Sequence, residues 1–195
     1  MSVQPGHGAN PQAALPKTTD LCDACDGAQV AALAWRGFGR RRAFAGAVRT
    51  VRCHEDIGLL REVLAQPGEG CVLVVDGGGS LARAIFGDVM AGLAIRNGWA
   101  GLVIHGAIRD TVEIDAMDIG VKALGSVPMR GHKAGAGAID EPVGFGGACF
   151  VPGRRLVADE DGVIVLPEGV TEADVDVEGA VAATAAYAAA AGPAR

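Results

Sequence analysis

Half of the 195 residues are hydrophobic, enough to bury one sizeable core, and the length gives no reason to divide the chain into two folding units. A formal net charge of −6 gives a phosphate backbone no electrostatic attraction, which argues against direct nucleic-acid binding, and no apolar stretch reaches the roughly 20 residues that a membrane span needs. Five cysteines without a secretory signal argue against a disulfide framework and fit a reducing cytoplasm.

Residues 1–17 read as a loose arm, with Gly, Pro, Gln and Asn in place of a charged-then-apolar signal. Thr18 or Thr19 before Asp20 suits the N-cap of a helix that ends near Asp26-Gly27, and Cys22-x-x-Cys25 then marks one turn of that helix, since no second pair completes a zinc site. Arg36 with Arg40, Arg41 and Arg42 is the one basic cluster, read as a solvated or subunit-facing patch. Phe44 to Arg52 alternates with the period of a strand, and Ile57 to Ala65 has helical spacing that stops at Gln66-Pro67-Gly68. Cys71 to Val75 is a continuous apolar run that fits a fully buried strand ending at Asp76-Gly77-Gly78-Gly79.

Ser80 to Phe86 reads as a short helix, Asp88 opens a longer one reaching about Asn97-Gly98, and Gly101 to His105 is a second buried strand. In such a β-α-β pattern ligands sit beyond the carboxyl ends of the strands, at the Asp76–Ser80 and His105–Asp110 turns. Val121 to Leu124 is a further short strand, and the stretch from Arg130 to Gly137, with His132 and Lys133, reads as flexible. Cys149 to Pro152, Arg155 to Ala158 and Val163 to Leu166 are short strands between Pro-Gly and Asp-Gly turns, so the second half is β-rich. The Ala-rich end, Val181 to Arg195, is a helix or a frayed tail. The fold class is α/β, because many short elements are joined by thirty glycines.

The sharpest chemical feature is Arg109-Asp110 directly after a buried strand; alone, such a pair is equally an ordinary surface ion pair. Gly87-Asp88-Val89-Met90 joins a glycine turn to a helix start, alone a capping signal. Together they supply anion-binding amides, a guanidinium for bidentate carboxylate recognition and a carboxylate for an oxygen-loving cation. That combination suits a 2-oxo acid chelating Mg²⁺ or Mn²⁺, the metal stabilising the enolate formed when a carbon–carbon bond breaks. No lysine is placed for a Schiff base: Lys122 lies in an expected strand and Lys133 in a loop, each read as structural or solvent-facing.

Several ordered segments carry a resemblance: Val74 to Leu81, Gly87-Asp88, His105 to Asp110, Asp118 to Leu124, Pro152-Gly153 and Ala158 to Val163. From about Thr18 to Leu166 the chain resembles the RraA-like proteins, which include the regulator of ribonuclease E activity A and the class II 4-hydroxy-4-methyl-2-oxoglutarate aldolases. Aldolase members carry an Asp, twenty residues and then Arg-Asp, and here Asp88 and Arg109-Asp110 bracket residues 89–108. The resemblance implies a compact single-domain α/β sandwich over residues 18–170, related to the swivelling phosphohistidine domain, with a tail at 171–195, assembled as a homotrimer with sites between subunits.

By the same resemblance, Gly87, Asp88, Val89 and Met90 would hold a substrate carboxylate, and Arg109 would bind substrate and stabilise a pyruvate enolate. Asp110 would ligate the divalent cation, Mg²⁺ or Mn²⁺, and Asp88 would steer the water that acts as acid or base. A small 2-oxo dicarboxylic acid is the implied substrate, with oxaloacetate decarboxylation as a second activity. An acidic residue from the neighbouring subunit is also implied; Asp159, Glu160 and Asp161 are candidates, although Asp-Glu-Asp-Gly before Val163 also reads as a plain hairpin turn. Two rivals remain: a non-catalytic regulator that binds ribonuclease E, and a methyltransferase suggested by the glycine cluster after Asp76, which lacks the expected glycine spacing.

Overall fold

The computed structural model describes residues 15–191; most of the expected N-terminal arm and the last four residues of the tail lie outside that range. In chain order the elements are α1 (Thr18–Ala24), β1 (Gln29–Val30), β2 (Arg36–Phe38), β3 (Phe44–Arg52), α2 (Gly58–Leu64), β4 (Val72–Asp76), β5 (Ala84–Phe86), α3 (Asp88–Arg96) and β6 (Gly101–Ile108). They continue with α4 (Thr111–Asp115), β7 (Gly120–Ser126), β8 (Ala138–Ile139), β9 (Val143–Phe145), β10 (Ala148–Phe150), β11 (Arg155–Ala158), β12 (Val163–Val165), a 3-10 turn at Glu172–Asp174 and α5 (Val177–Ala191).

The unbroken apolar runs of β4 and β6 lie at the centre of one mixed sheet, ordered β1-β12-β11-β3-β4-β6-β7-β2, with β5 attached to β6 and β8 to β3. β3, β4, β6 and β7 pair in parallel, while β11, β12, β1 and β2 flank them antiparallel. Alternate residues of the central strands face two cores. Leu73, Val75, Leu102 and Ile104 meet Leu60, Val63 and Leu64 of α2 and Ala91 and Ala94 of α3. Val72, Val74 and Val103 meet Leu156 and Ala158 of β11, Val163 and Val165 of β12, and Phe145 and Phe150 of the β9–β10 hairpin. The sheet curls until β11 and β12 form a second layer, and burial on both faces is why β4 and β6 show no polar alternation. Phe44 pins the start of this arrangement: a Cβ at Gly101 or Gly120 would fall 2.3 or 2.2 Å from its ring, so only glycine admits it there.

The expected strand from Phe44 to Arg52 is found residue for residue, and the expected strands at the centre and in the β-rich second half recur within a few residues. Other expectations are corrected. Ser80 to Phe86 is a turn followed by β5, because the Ala84 amide donates to the Met129 carbonyl (2.7 Å) and the Gly131 amide to the Ala84 carbonyl (2.8 Å). Neither Thr18 nor Thr19 is the N-cap: Lys17 holds that position with no side-chain capping bond, and α1 stops at Ala24, two residues short of the expected end. The Asp159 carboxylate serves α1 from the β11–β12 turn, accepting the Thr18 amide and hydroxyl at 2.7 Å each.

The stretch from 130 to 137 is irregular yet tied down, with the His132 amide on the Glu55 carbonyl (2.7 Å) and the Ala134 and Gly135 amides on Asp56 (2.6 and 3.0 Å). Past residue 170 the chain stays on the body: Val170, Val175 and Val177 pack against Leu21, Val157 and Ile164. Among the described residues no helix is long and apolar enough to cross a membrane.

Candidate active site

Two adjacent strand ends build the site. β5 and β6 are parallel neighbours with Phe86 opposite Ile108, and the Arg109 amide donates to the Phe86 carbonyl (2.9 Å). Beyond those ends the chain turns into α3 at Gly87 and into α4 at Asp110, so both junctions face the same crevice at the carboxyl edge of the sheet. The interval from Asp88 to Ile108 consists of α3, the turn at 97–100 and β6. The twenty-residue spacing is thus the length of one helix-and-strand return, which is why it brings Asp88 back to Arg109-Asp110.

Asp110 sits in the left-handed region (φ 55°, ψ 41°), and the Arg109 Nε–H points at both of its carboxylate oxygens, 3.1 Å each. The two side chains are 37% and 27% exposed, and the terminal guanidinium nitrogens of Arg109 have no protein acceptor among the described residues. Asp110 Oδ2 lies over Gly87, where a Cβ would come within 2.5 Å of it. Gly87 has ordinary extended backbone, so glycine is required there for room and not for torsion. Asp88 accepts the Val89 amide (2.7 Å), and the Met90 amide donates to the Gly87 carbonyl (3.1 Å). Of the four residues expected to offer amides to a ligand, Val89 and Met90 therefore have theirs engaged within the segment.

These residues line a cleft of about 270 Å³. Its lining also includes Ile57 and Arg61 from the start of α2, Ala84 and Phe86 of β5, and Arg130 and Lys133 of the tethered loop. Sequence reasoning missed Arg61 and Arg130 and read Lys133 as structural or solvent-facing. No spacing signal marks them, because the loop that carries Arg130 and Lys133 reaches α2 and β5 only through long-range contacts, Arg130 with Ala84 and Asp56 with amides 78 and 79 residues away. Asp56 is buried; burial works to raise its pKa, but the amides of Gly58, Ala134 and Gly135 hold it below the ordinary carboxylate value.

Asp110 and Asp88 are hard oxygen donors, and among the described residues no group of three or more His, Cys, Asp or Glu is placed to hold a metal. One or two carboxylates in an open cleft fit Mg²⁺ or Mn²⁺, which keep several waters and complete their shell with ligand oxygens; they do not fit a closed zinc site. Cys22 and Cys25 are free thiols at the end of α1.

Asp159 does not reach outward as a donor to a neighbouring subunit. It is 7% exposed and, besides Thr18, accepts the Asp161 and Gly162 amides (3.0 and 3.3 Å), so the hairpin-turn reading holds for it while Glu160 and Asp161 remain exposed. Lys122 is buried in β7, outside the cleft, and burial pushes its ammonium below the ordinary lysine value. The Asp76–Gly79 turn folds onto β6, its Gly77 and Gly79 amides both donating to the His105 carbonyl (3.0 and 3.1 Å) and Asp76 lying 3.0 Å from His105 Nδ1. Those amides are spent on the fold, which leaves little for a nucleotide cofactor.

The family profile described as "RraA-like: Aldolase/RraA" matches residues 18–165. The chain belongs to the RraA-like family. It is 49% identical over 155 residues to the "Putative 4-hydroxy-4-methyl-2-oxoglutarate aldolase" of Ectopseudomonas mendocina, covering 79% of this chain and 96% of that one. Among solved structures, the RNA-processing inhibitor RraA of Thermus thermophilis superposes with a TM-score of 0.77 at 45% identity, covering 80% of this chain and 95% of that one. A Geobacillus kaustophilus protein described as S-adenosylmethionine:2-dimethylmenaquinone methyltransferase gives 0.76 at 47% identity, covering 77% and 94%. One RraA-like fold thus carries relatives with three different functional names. What this member does has to be argued from its own cleft.

Proposed function

We propose that this RraA-like chain is a divalent-metal-dependent class II aldolase that cleaves 4-hydroxy-4-methyl-2-oxoglutarate, or a related 4-hydroxy-2-oxo dicarboxylate, to release pyruvate. The observation that carries the reading is the Arg109–Asp110 pair facing the Gly87–Met90 helix start across one cleft. Asp110 would hold the cation, which when bound supplies Lewis-acid polarisation of the substrate's 2-oxo group.

The protein's own groups account for the rest. A substrate carboxylate arriving at the α3 N-terminus meets the positive end of the helix dipole and competes with Asp88 for the Val89 amide, so binding frees the Asp88 carboxylate. Asp88, directly or through a water, then takes the proton of the 4-hydroxyl. The C4–O bond becomes a carbonyl, the C3–C4 bond breaks, and its electron pair moves through C3 and C2 onto the 2-oxo oxygen. Arg109 stabilises that developing enolate oxygen, with its Nε anchored on Asp110 and its terminal nitrogens free to donate. Protonation at C3 yields pyruvate. Loss of CO₂ from oxaloacetate leaves the same enolate, so oxaloacetate decarboxylation follows as a second activity.

A homotrimer with clefts at the subunit boundaries is part of the proposal. It is supported by exposed apolar side chains around the cleft: Val89 lines it, Val112 lies two residues past Asp110, and Met129 precedes Arg130. Five free thiols support a reducing compartment such as the cytoplasm.

The test is pyruvate release from 4-hydroxy-4-methyl-2-oxoglutarate and from oxaloacetate, with Mg²⁺ and with EDTA. Turnover should require the metal, and Arg109→Ala and Asp110→Ala should each lower kcat/KM by about 10²-fold or more. No turnover above the metal's own background on either substrate would reject the lyase and leave the regulator of ribonuclease E in front.

A further inference from the structure

The cleft carries a charge that the aldolase reading has not used. Arg61, Arg109, Arg130 and Lys133 line it against Asp88 and Asp110, a local excess of two positive charges in a chain of net charge −6. Arg109 is paired with Asp110, whereas Arg61, Arg130 and Lys133 enter no ion pair among the described residues. Like charges gathered in one cleft repel one another, and with only Asp88 and Asp110 to offset four cations the cleft attracts an anion from outside.

The backbone that carries these charges is tied to the fold. Arg61 projects from α2, and Arg130 bridges to Ala84 of β5, its carbonyl accepting Arg83 Nη1 (3.0 Å). Asp56 fastens the same loop through Ala134 and Gly135. Tethered backbone fixes where the two arginine side chains start, so binding has to order their rotamers but not the chain that carries them.

We propose that Arg61 and Arg130 form the subsite for the substrate's distal carboxylate and make the enzyme selective for dicarboxylic over monocarboxylic 4-hydroxy-2-oxo acids. The inference rests on the aldolase reading, in which Arg109, Asp110 and the α3 N-terminus are committed to the 2-oxo acid end and leave the second carboxylate without a partner. Arginine is the residue for this task because its planar fork matches a carboxylate with two parallel bonds, while Lys133 adds positive potential to the same cleft.

The experiment compares 4-hydroxy-4-methyl-2-oxoglutarate with 4-hydroxy-4-methyl-2-oxopentanoate, which replaces the distal carboxylate by a methyl group, on the parent, Arg61→Gln, Arg130→Gln and the double variant. The parent should prefer the dicarboxylate, chiefly through KM, and the ratio of kcat/KM between the two substrates should fall about tenfold for each single variant. Arg→Lys variants should retain part of the preference. An unchanged ratio in the double variant overturns the subsite and leaves the lyase standing.

Titration calorimetry with 2-oxoglutarate against 2-oxopentanoate, neither of which has a 4-hydroxyl to cleave, reads the subsite without turnover. Tighter binding of 2-oxoglutarate that the double variant loses supports the subsite even if no substrate is cleaved, an outcome that would discard the lyase alone. Equal affinity for the two acids in the parent overturns the subsite.

Discussion

Asp110 shows how a single residue's backbone and chemistry are joined. Aspartate is among the few side-chain-bearing residues that enter the left-handed region readily, and there its carboxylate folds back beneath Arg109 and over Gly87. Asp110→Asn keeps the backbone preference and removes the charge. It should therefore cost about 10²-fold or more in kcat/KM while urea stability stays within about 0.5 kcal/mol of the parent. Gly87→Ala tests the same carboxylate from below: its methyl group must displace Asp110 Oδ2. A fall of about 10- to 100-fold in kcat/KM with a folded, cooperative melt is expected, since a displacement of about 1 Å at a reacting group costs that much. At this scale Asp88, Arg109 and Asp110 were legible because their spacing is a property of local elements. Arg61, Arg130 and Lys133 were not, because long-range contacts bring the loop at 130–137 beside α2 and β5: Arg130 against Ala84, and Ala134 and Gly135 on Asp56.

Among the elements, α1 depends on a side chain that is distant in sequence. Asp159 caps it through Thr18 while closing the β11–β12 turn, so one buried carboxylate joins the first helix to the last two strands of the sheet. Burial acts to raise the Asp159 pKa, but its hydrogen bonds from Thr18, Asp161 and Gly162 win and hold it below the ordinary value. A carboxyl depressed in the folded state contributes stability above its unfolded pKa of about 4, and that contribution is lost as pH falls through the folded value. Urea midpoints measured from neutral pH down to about 2.5 should fall at the acid end, with a shallower fall in Asp159→Asn. At neutral pH, Asp159→Ala should cost about 2–4 kcal/mol, because it orphans Thr18 and both turn amides. The misread element at this scale was β5. Ser80 to Phe86 has helix-compatible residues and no alternation, and its three strand residues are extended only because Met129, Gly131 and Ile108 pair with them.

For the whole molecule, the α/β class and the two buried strands were visible because burial on both faces removes polar residues from Val72–Val75 and Leu102–Ile104. The curl that places β11 and β12 over the central strands was not visible, since it is written in contacts such as Val74 with Leu156's cluster and not in any local pattern. That curl leaves the carboxyl ends of β5 and β6 open, and the open edge is where the proposed chemistry lies. Its central claim is that this cleft, with a divalent cation, converts a bound 2-oxo acid into an enolate. The most direct measurement is exchange of the pyruvate methyl protons in D₂O, followed by proton NMR, which needs no knowledge of the second half of the substrate. The protein with Mg²⁺ should erase the methyl signal far faster than Mg²⁺ alone, and EDTA or Arg109→Ala should stop it. Exchange no faster than in the metal-only control would contradict the enolate, and with it the aldolase.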